Sequence, residues 1–177
     1  MLVLLLGLFC SCSNRVYNVR AGQKLPKWTE GCLDIHSINT GRGECTFYIL
    51  PDGTTMLVDA GEFHTGGARH PMVEQKPDTL TRPYKVYAEY IKDILGREKN
   101  LSIDYALLTH YHMDHMGRLE KDYERAPEKY IKTGMMALYD EIPYRKLIDR
   151  SYPDYSFDPK LKALKHWSRF VKAKMEQ

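Results

Sequence analysis

The stretch "LLTHYHMDHMG", residues 107–117, places three histidines and an aspartate within six positions, in a chain of 177 residues that has seven histidines in all. The preceding "IDYALLTH" predicts a strand that runs into the cluster. Side chains two apart on an extended segment point the same way, so His110 and His112 converge while Tyr111 points away. Asp114 and His115 are adjacent, where the chain turns into a helix, and face a neighbouring point. The expected outcome is two metal positions side by side, with His110 and His112 at one, Asp114 and His115 at the other, and Asp114 able to bridge. Imidazoles with one carboxylate suit zinc best, and iron and manganese remain open for the same donors. Gly117 allows a sharp turn beside the ions. Two adjacent ions make a bound water nucleophilic near neutral pH and polarise a substrate oxygen. Asp114 is then a ligand that also orients the attacking water, and no serine or cysteine nucleophile is needed. His36, His64, His70 and His166 are isolated and read as structural or surface residues. Asp59, taken alone, reads as a turn former.

Working outward, the composition is that of a globular chain, at 43% hydrophobic and 28% charged residues, long enough for one domain with a core. Net charge is only +3, and the basic residues between Lys160 and Lys174 lie on an expected helix, where they form a solvated face. No specific nucleic-acid partner is expected, because no basic stripe interleaved with aromatics accompanies them. Leu33, Ile35 and Ser37 alternate with Asp34, His36 and Ile38, a strand period. Phe47–Leu50 and Met56–Val58 read as further strands, joined by the "PDG" turn at 51–53. Residues 62–83, with two glycines and three prolines, form a long loop. "YKVYAEYIKDILG" is helical, with an apolar stripe through Val86, Tyr87, Tyr90, Ile91, Ile94 and Leu95 and a C-cap at Gly96. Beyond the cluster, two short strands are expected around Asp140 and Glu141. Residues 159–177 then form a helix with Leu161, Leu164, Trp167, Phe170, Val171 and Met175 on one side.

The N-terminus, "MLVLLLGLFCSCSNR", carries an apolar run too short to span a bilayer but suited to a signal peptide. No Lys or Arg precedes the run. "FCSC" resembles the bacterial lipoprotein signal, with lipidation expected at Cys12. The chain is therefore expected to be exported, periplasmic or anchored to the membrane by lipid. Cys32 and Cys45 fall in neighbouring expected strands, as a disulfide pair or as two free thiols. The absence of CxxC spacing argues against a cysteine zinc site.

The segment "THYHMDHMG" resembles the THxHxDHxGG signature of the metallo-β-lactamase superfamily. His110, His112, Asp114 and His115 match it position by position, and Arg118 replaces its second glycine. "MLVDAGE" looks like that family's first motif, and the resemblance implies that Asp59 supports the ligand loop from behind the ligands. "HSINTGRGECTFYILPDGTTMLVDAG" is similar to the opening of the hydrolase domain of bacterial DNA-uptake competence proteins, with Gly41 and Gly43 in its Gly-x-Gly turn. The likeness is close over residues 32–118. It implies an α/β fold, a four-layer αβ/βα sandwich with two zinc ions at the sheet edges. It also implies metal-dependent hydrolysis of an ester, phosphodiester, lactone or amide, with phosphodiesters favoured.

The family's later ligands, a further histidine for each metal and a bridging aspartate, find no match. His166 sits in "LKHWSRF", and Asp149, Asp154 and Asp158 lack the family's surroundings. The expected organisation is a signal peptide at 1–12, a tether at 13–31, and a partial domain at 32–177 holding the N-terminal half of the sandwich only. A second chain completing the fold is one expected partner, and a small-molecule or phosphodiester substrate is the other. The alternative function is a catalytically inactive relative, acting as an interaction module or as one part of a split domain.

Overall fold

A computed structural model describes residues 19–39, 41, 43–62, 76–78, 80–97, 100–158 and 160–176. Cys12 and the segment 1–12, His64 and His70 lie outside the described residues. Five strands form one sheet in the order β1-β2-β3-β4-β5. These are β1 (Asp34–Ser37), β2 (Thr46–Ile49), β3 (Thr55–Val58), β4 (Ile103–Leu108) and β5 (Tyr144–Asp149). The first three run as an antiparallel meander. β4 and β5 then join in parallel. The helices are α1 (Pro83–Leu95), the single turn α2 (Met113–Met116), α3 (Gly134–Glu141) and α4 (Lys162–Lys174). The fold is thus α/β, a mixed sheet with flanking helices, consistent with part of the αβ/βα sandwich that the resemblance implies.

Local chemistry accounts for the boundaries. The β2–β3 turn closes where Asp52 Oδ1 accepts the Thr54 N–H at 3.0 Å and Gly53 takes φ +84°. α1 starts with proline in its first turn and stops at Gly96, whose left-handed conformation lets its N–H reach Lys92 O. Parallel pairing needs a crossover. α1 supplies it between β3 and β4, and α2 with α3 supply it between β4 and β5.

One sheet face carries the core. Phe47, Leu57 and Ala106 stand in register across three strands and are fully buried. Tyr87 and Ile91 of α1 and Met135, Met136 and Leu138 of α3 belong to the same core. On the other face Ile35, Tyr48, Met56, Tyr105 and Lys146 form a row in register. Ile35 is 60% exposed and Ile148, also on that face, 43%. Among the described residues this apolar row has no covering layer. In β1 it is His36 that faces α1, with Nδ1 3.1 Å from the Tyr90 hydroxyl.

The structure corrects one expected element. The first of the two strands expected around Asp140 and Glu141 is the helix α3. Its segment is Met- and Ala-rich with no β-branched residue, which favours helix. Gly134 to Leu138 are all buried, so the sequence shows no polar face from which to read a helical period. The second strand is β5. The terminal helix lies inside the expected range, with Leu164, Trp167, Phe170 and Val171 buried. Residues 19–31 reach the core through Trp28, whose Nε1–H donates to Cys32 O at 2.7 Å. Cys32 and Cys45 are both free thiols. No described helix is long and apolar enough to cross a membrane.

Polar contacts at Asp149 and at His166 help to fasten α4. Asp149 Oδ2 accepts Trp167 Nε1–H at 2.7 Å and the Tyr155 hydroxyl at 2.6 Å, while Oδ1 accepts two backbone N–H groups. His166 Nδ1 accepts the N–H of Ile131, a buried residue, at 3.1 Å. Burial, followed by Arg125, Arg169 and Lys165, holds this imidazole below its ordinary value of 6.5. The unfolded chain therefore takes up the proton first as acid is added. The contribution is complete above the ordinary value and is lost as pH falls through the folded one. His166→Ala should lower stability by about 1–2 kcal/mol at neutral pH, because an N–H loses its acceptor. It should also flatten part of the acid-side decline, as read from urea unfolding midpoints at neutral and mildly acidic pH.

Candidate metal centre

The site lies beyond the carboxyl ends of β3 and β4, where parallel strands leave their last residues free for ligands. β3 ends at Asp59. The Asp59 N–H still pairs with Leu107 O at 2.9 Å, but the residue then turns into the left-handed region at φ +58°. Asp tolerates that region better than most side chains. The turn puts its carboxylate, fully buried, under the residues that follow β4. Oδ1 accepts the Thr109 N–H at 2.8 Å. Oδ2 takes the Thr109 hydroxyl at 2.7 Å and His115 Nδ1–H at 2.7 Å.

These bonds fix which nitrogens are free. A carboxylate acceptor at His115 Nδ1 places the proton there and leaves Nε2 as the lone-pair atom. The Thr109 hydroxyl spends its one proton on Asp59, so toward His110 Nδ1, at 3.1 Å, it accepts. His110 therefore also presents Nε2. Burial, then the neighbouring His115 and His112, push the His110 imidazole below its ordinary value, which keeps it neutral and able to donate a lone pair. His112 is exposed and forms the N-cap of α2, with its ring perpendicular to that of His110 and centroids 4.9 Å apart.

His110, His112 and Asp114 each offer a donor atom, and these atoms all lie within 4.8 Å of one another. The structure thus brings Asp114 near the first two histidines as well as near His115, in keeping with a carboxylate able to bridge. His115 Nε2 is 3.7 Å from Asp114 Oδ2, so the carboxylate stands between the three imidazoles. Two imidazoles and a carboxylate form a donor set that fits zinc. Outside this group, His36 packs on Phe47 and Tyr90. Asp149 and His166 are engaged in holding α4. Arg118 forms an ion pair with Glu120.

Backbone contacts position the ligand helix. The N–H groups of Glu62, Glu44 and Ala60 donate to the carbonyls of Met113, Asp114 and His115 at 2.8, 2.7 and 2.9 Å. This approach requires glycine at 61, where a Cβ would sit 1.8 Å from Asp114 O. A Cβ at Gly134 would meet Met116 O at 2.0 Å and Ala60 O at 2.4 Å. Gly117 takes φ +115° at the end of the turn. The sequence reading named the His110–His115 cluster and Asp59 but missed the contacts of Thr109, Gly61, Glu62 and Gly134. For Thr109 and Gly61 the signal was their place inside the two quoted motifs.

A model of the metallo-beta-lactamase superfamily matches residues 40–131, a span that includes Asp59 and all four cluster residues. No curated protein and no solved structure matches the chain.

Gly61→Ala should displace α2 and destabilise the protein by about 3 kcal/mol or more, the range of severe steric lesions. Gly96→Ala, where nothing lies within 4 Å of the added carbon, should cost only about 1 kcal/mol for its left-handed backbone. Denaturant unfolding of the two variants side by side checks the contrast.

Proposed function

The chain belongs to the metallo-β-lactamase superfamily, and from that premise we propose that it is a metal-dependent hydrolase acting on an ester, phosphodiester or related bond. The observation that carries this reading is the convergence of His110, His112 and Asp114 beside a His115 held by a buried carboxylate. His110, His112 and Asp114 would hold one ion, and His115, with Asp114 between, a second. Zinc is the favoured metal, with iron and manganese as the alternatives. Divalent ions there supply Lewis-acid polarisation and a water that is nucleophilic near neutral pH.

The chain's own residues do the rest. Asp59 and Thr109 fix the tautomers of His115 and His110, so each ring presents a lone pair without reorganisation. Asp114 is 44% exposed, so one carboxylate oxygen can face the donor group while the other accepts a proton from a water and aims it. The exposure of His112 and Met113 leaves the cluster open to an incoming substrate. A phosphodiester is the favoured substrate class, on the likeness of residues 36–61 to the competence-protein hydrolase domain. Export, with lipid attached at Cys12, belongs to the same proposal and rests on the sequence of residues 1–12.

A second reading is favoured by the open sheet face that carries Ile35 and Ile148. In it, the chain binds metal without turnover and acts as one part of a split domain, its apolar row covered by another chain.

Purified protein should retain up to two zinc ions per chain after dialysis and hydrolyse a generic aryl phosphodiester. His112→Ala should lower that hydrolysis by about 100-fold or more, beyond the range of an outer partner. Retained zinc with no hydrolysis across ester and phosphodiester panels would favour the second reading. Loss of all metal from the wild type would overturn both. Asp59→Asn should weaken zinc binding about 10–100-fold while all the ligands remain in place, as competition with a chelating dye would show.

A further inference from the structure

Glu62 follows Asp59-Ala60-Gly61 and is buried, with 3% of its side chain exposed. Its carboxylate turns away from the histidines. Arg82 Nη2 donates to Oε1 at 3.0 Å and Oε2 at 2.9 Å. The Thr133 hydroxyl donates to Oε2 at 3.1 Å, and the Gly134 N–H reaches Oε1 at 3.4 Å. The Arg82 guanidinium carbon also lies over the Tyr123 ring, 3.4 Å from its centroid. Arg82 is the N-cap of α1, and Thr133 the N-cap of α3. One carboxylate therefore joins the segment beyond β3 to the starts of both core helices and, through Arg82, to Tyr123.

We propose that Glu62 and Arg82 form a buried charged clasp that positions the ligand helix α2, and that both are positioning residues for the metal centre. The link is the Glu62 backbone. Its N–H donates to Met113 O at 2.8 Å, one residue from the His112 cap and one from Asp114. Through its carboxylate the same residue is fixed to α3, whose Gly134 touches Met116 at the other end of α2. Both ends of the ligand turn are thus referred to one side chain. A buried ion pair is a poor way to gain stability, since desolvation offsets much of the attraction. It fixes geometry here because one guanidinium nitrogen spans both carboxylate oxygens while the guanidinium carbon is held over the Tyr123 ring. Glu62 is no ligand itself, because both its oxygens are taken by the clasp.

This inference rests on the metal reading above, and cobalt(II) separates the two. Full-length protein is titrated with cobalt(II), and its visible absorption reports both affinity and ligand geometry. Glu62→Gln should weaken cobalt binding by about 10–100-fold, the scale of outer-partner losses, and change the band shape. Arg82→Lys keeps the charge but not the plane, and should give a smaller change in the same direction. His166→Ala, which removes a contact to Ile131 rather than one to the cluster or the clasp, should keep the wild-type spectrum despite its lower stability. If Glu62→Gln and the wild type give the same affinity and spectrum, the clasp is overturned and the metal reading stands. If His166→Ala loses cobalt as Glu62→Gln does, stability alone explains the effect and the clasp is again overturned. Should Glu62→Gln not fold, a wild-type spectrum from Arg82→Lys overturns the clasp. A wild type that binds no cobalt overturns both proposals together.

Discussion

A helix of one turn cannot satisfy its own carbonyls, and α2 meets that constraint from outside. The last carbonyls of any helix lack partners within it. In α2 two of these carbonyls belong to Asp114 and His115 of the cluster. Met113, Asp114 and His115 each find an N–H from elsewhere, on Glu62, Glu44 and Ala60. The turn is thus held against the segment that leaves β3 and against Glu44, just before β2. The close approach and the glycines at 61 and 134 follow from that pairing.

The sheet explains why the two partners meet. β3 and β4 run parallel, so both end on the same side, and the residues just past each end become neighbours. Asp59 and Thr109 occupy those positions and are 50 residues apart in the chain. α1 spans that separation and covers the core face on the way. The geometry behind the histidines is therefore a result of topology: a meander would have sent one of the two strand ends to the opposite edge.

The cluster was legible because its residues are contiguous and their spacing converts directly into direction on an extended backbone. The strands were legible for a similar reason, since β2, β3 and β4 carry local apolar runs between turn residues. The role of Asp59 came from motif resemblance, because a lone aspartate after a strand has a blander local explanation. The Glu62 contacts were not legible. Its hydroxyl partner, Thr133, is 71 residues away, and no local pattern marks either member. Gly134 was hidden for the same reason, its neighbours being Met116 and Ala60. The helix α3 was missed because burial on all sides removes the periodicity that identifies a helix. Asp114 stands near His110 and His112 as well as near His115, the bridging place that its position in the motif allows.

Asp59 answers two demands that rarely coincide. Its backbone needs a residue that accepts the left-handed region, and its side chain needs two acceptor oxygens in a dry setting. Asparagine meets the first but replaces one acceptor with a donor, which would face His115 Nδ1 or Thr109. Glutamate supplies the oxygens on a longer stem with less tolerance for that backbone. Glycine suits the backbone and supplies no oxygen. Each replacement therefore gives up either the backbone fit or an acceptor oxygen, and aspartate alone of these meets both demands.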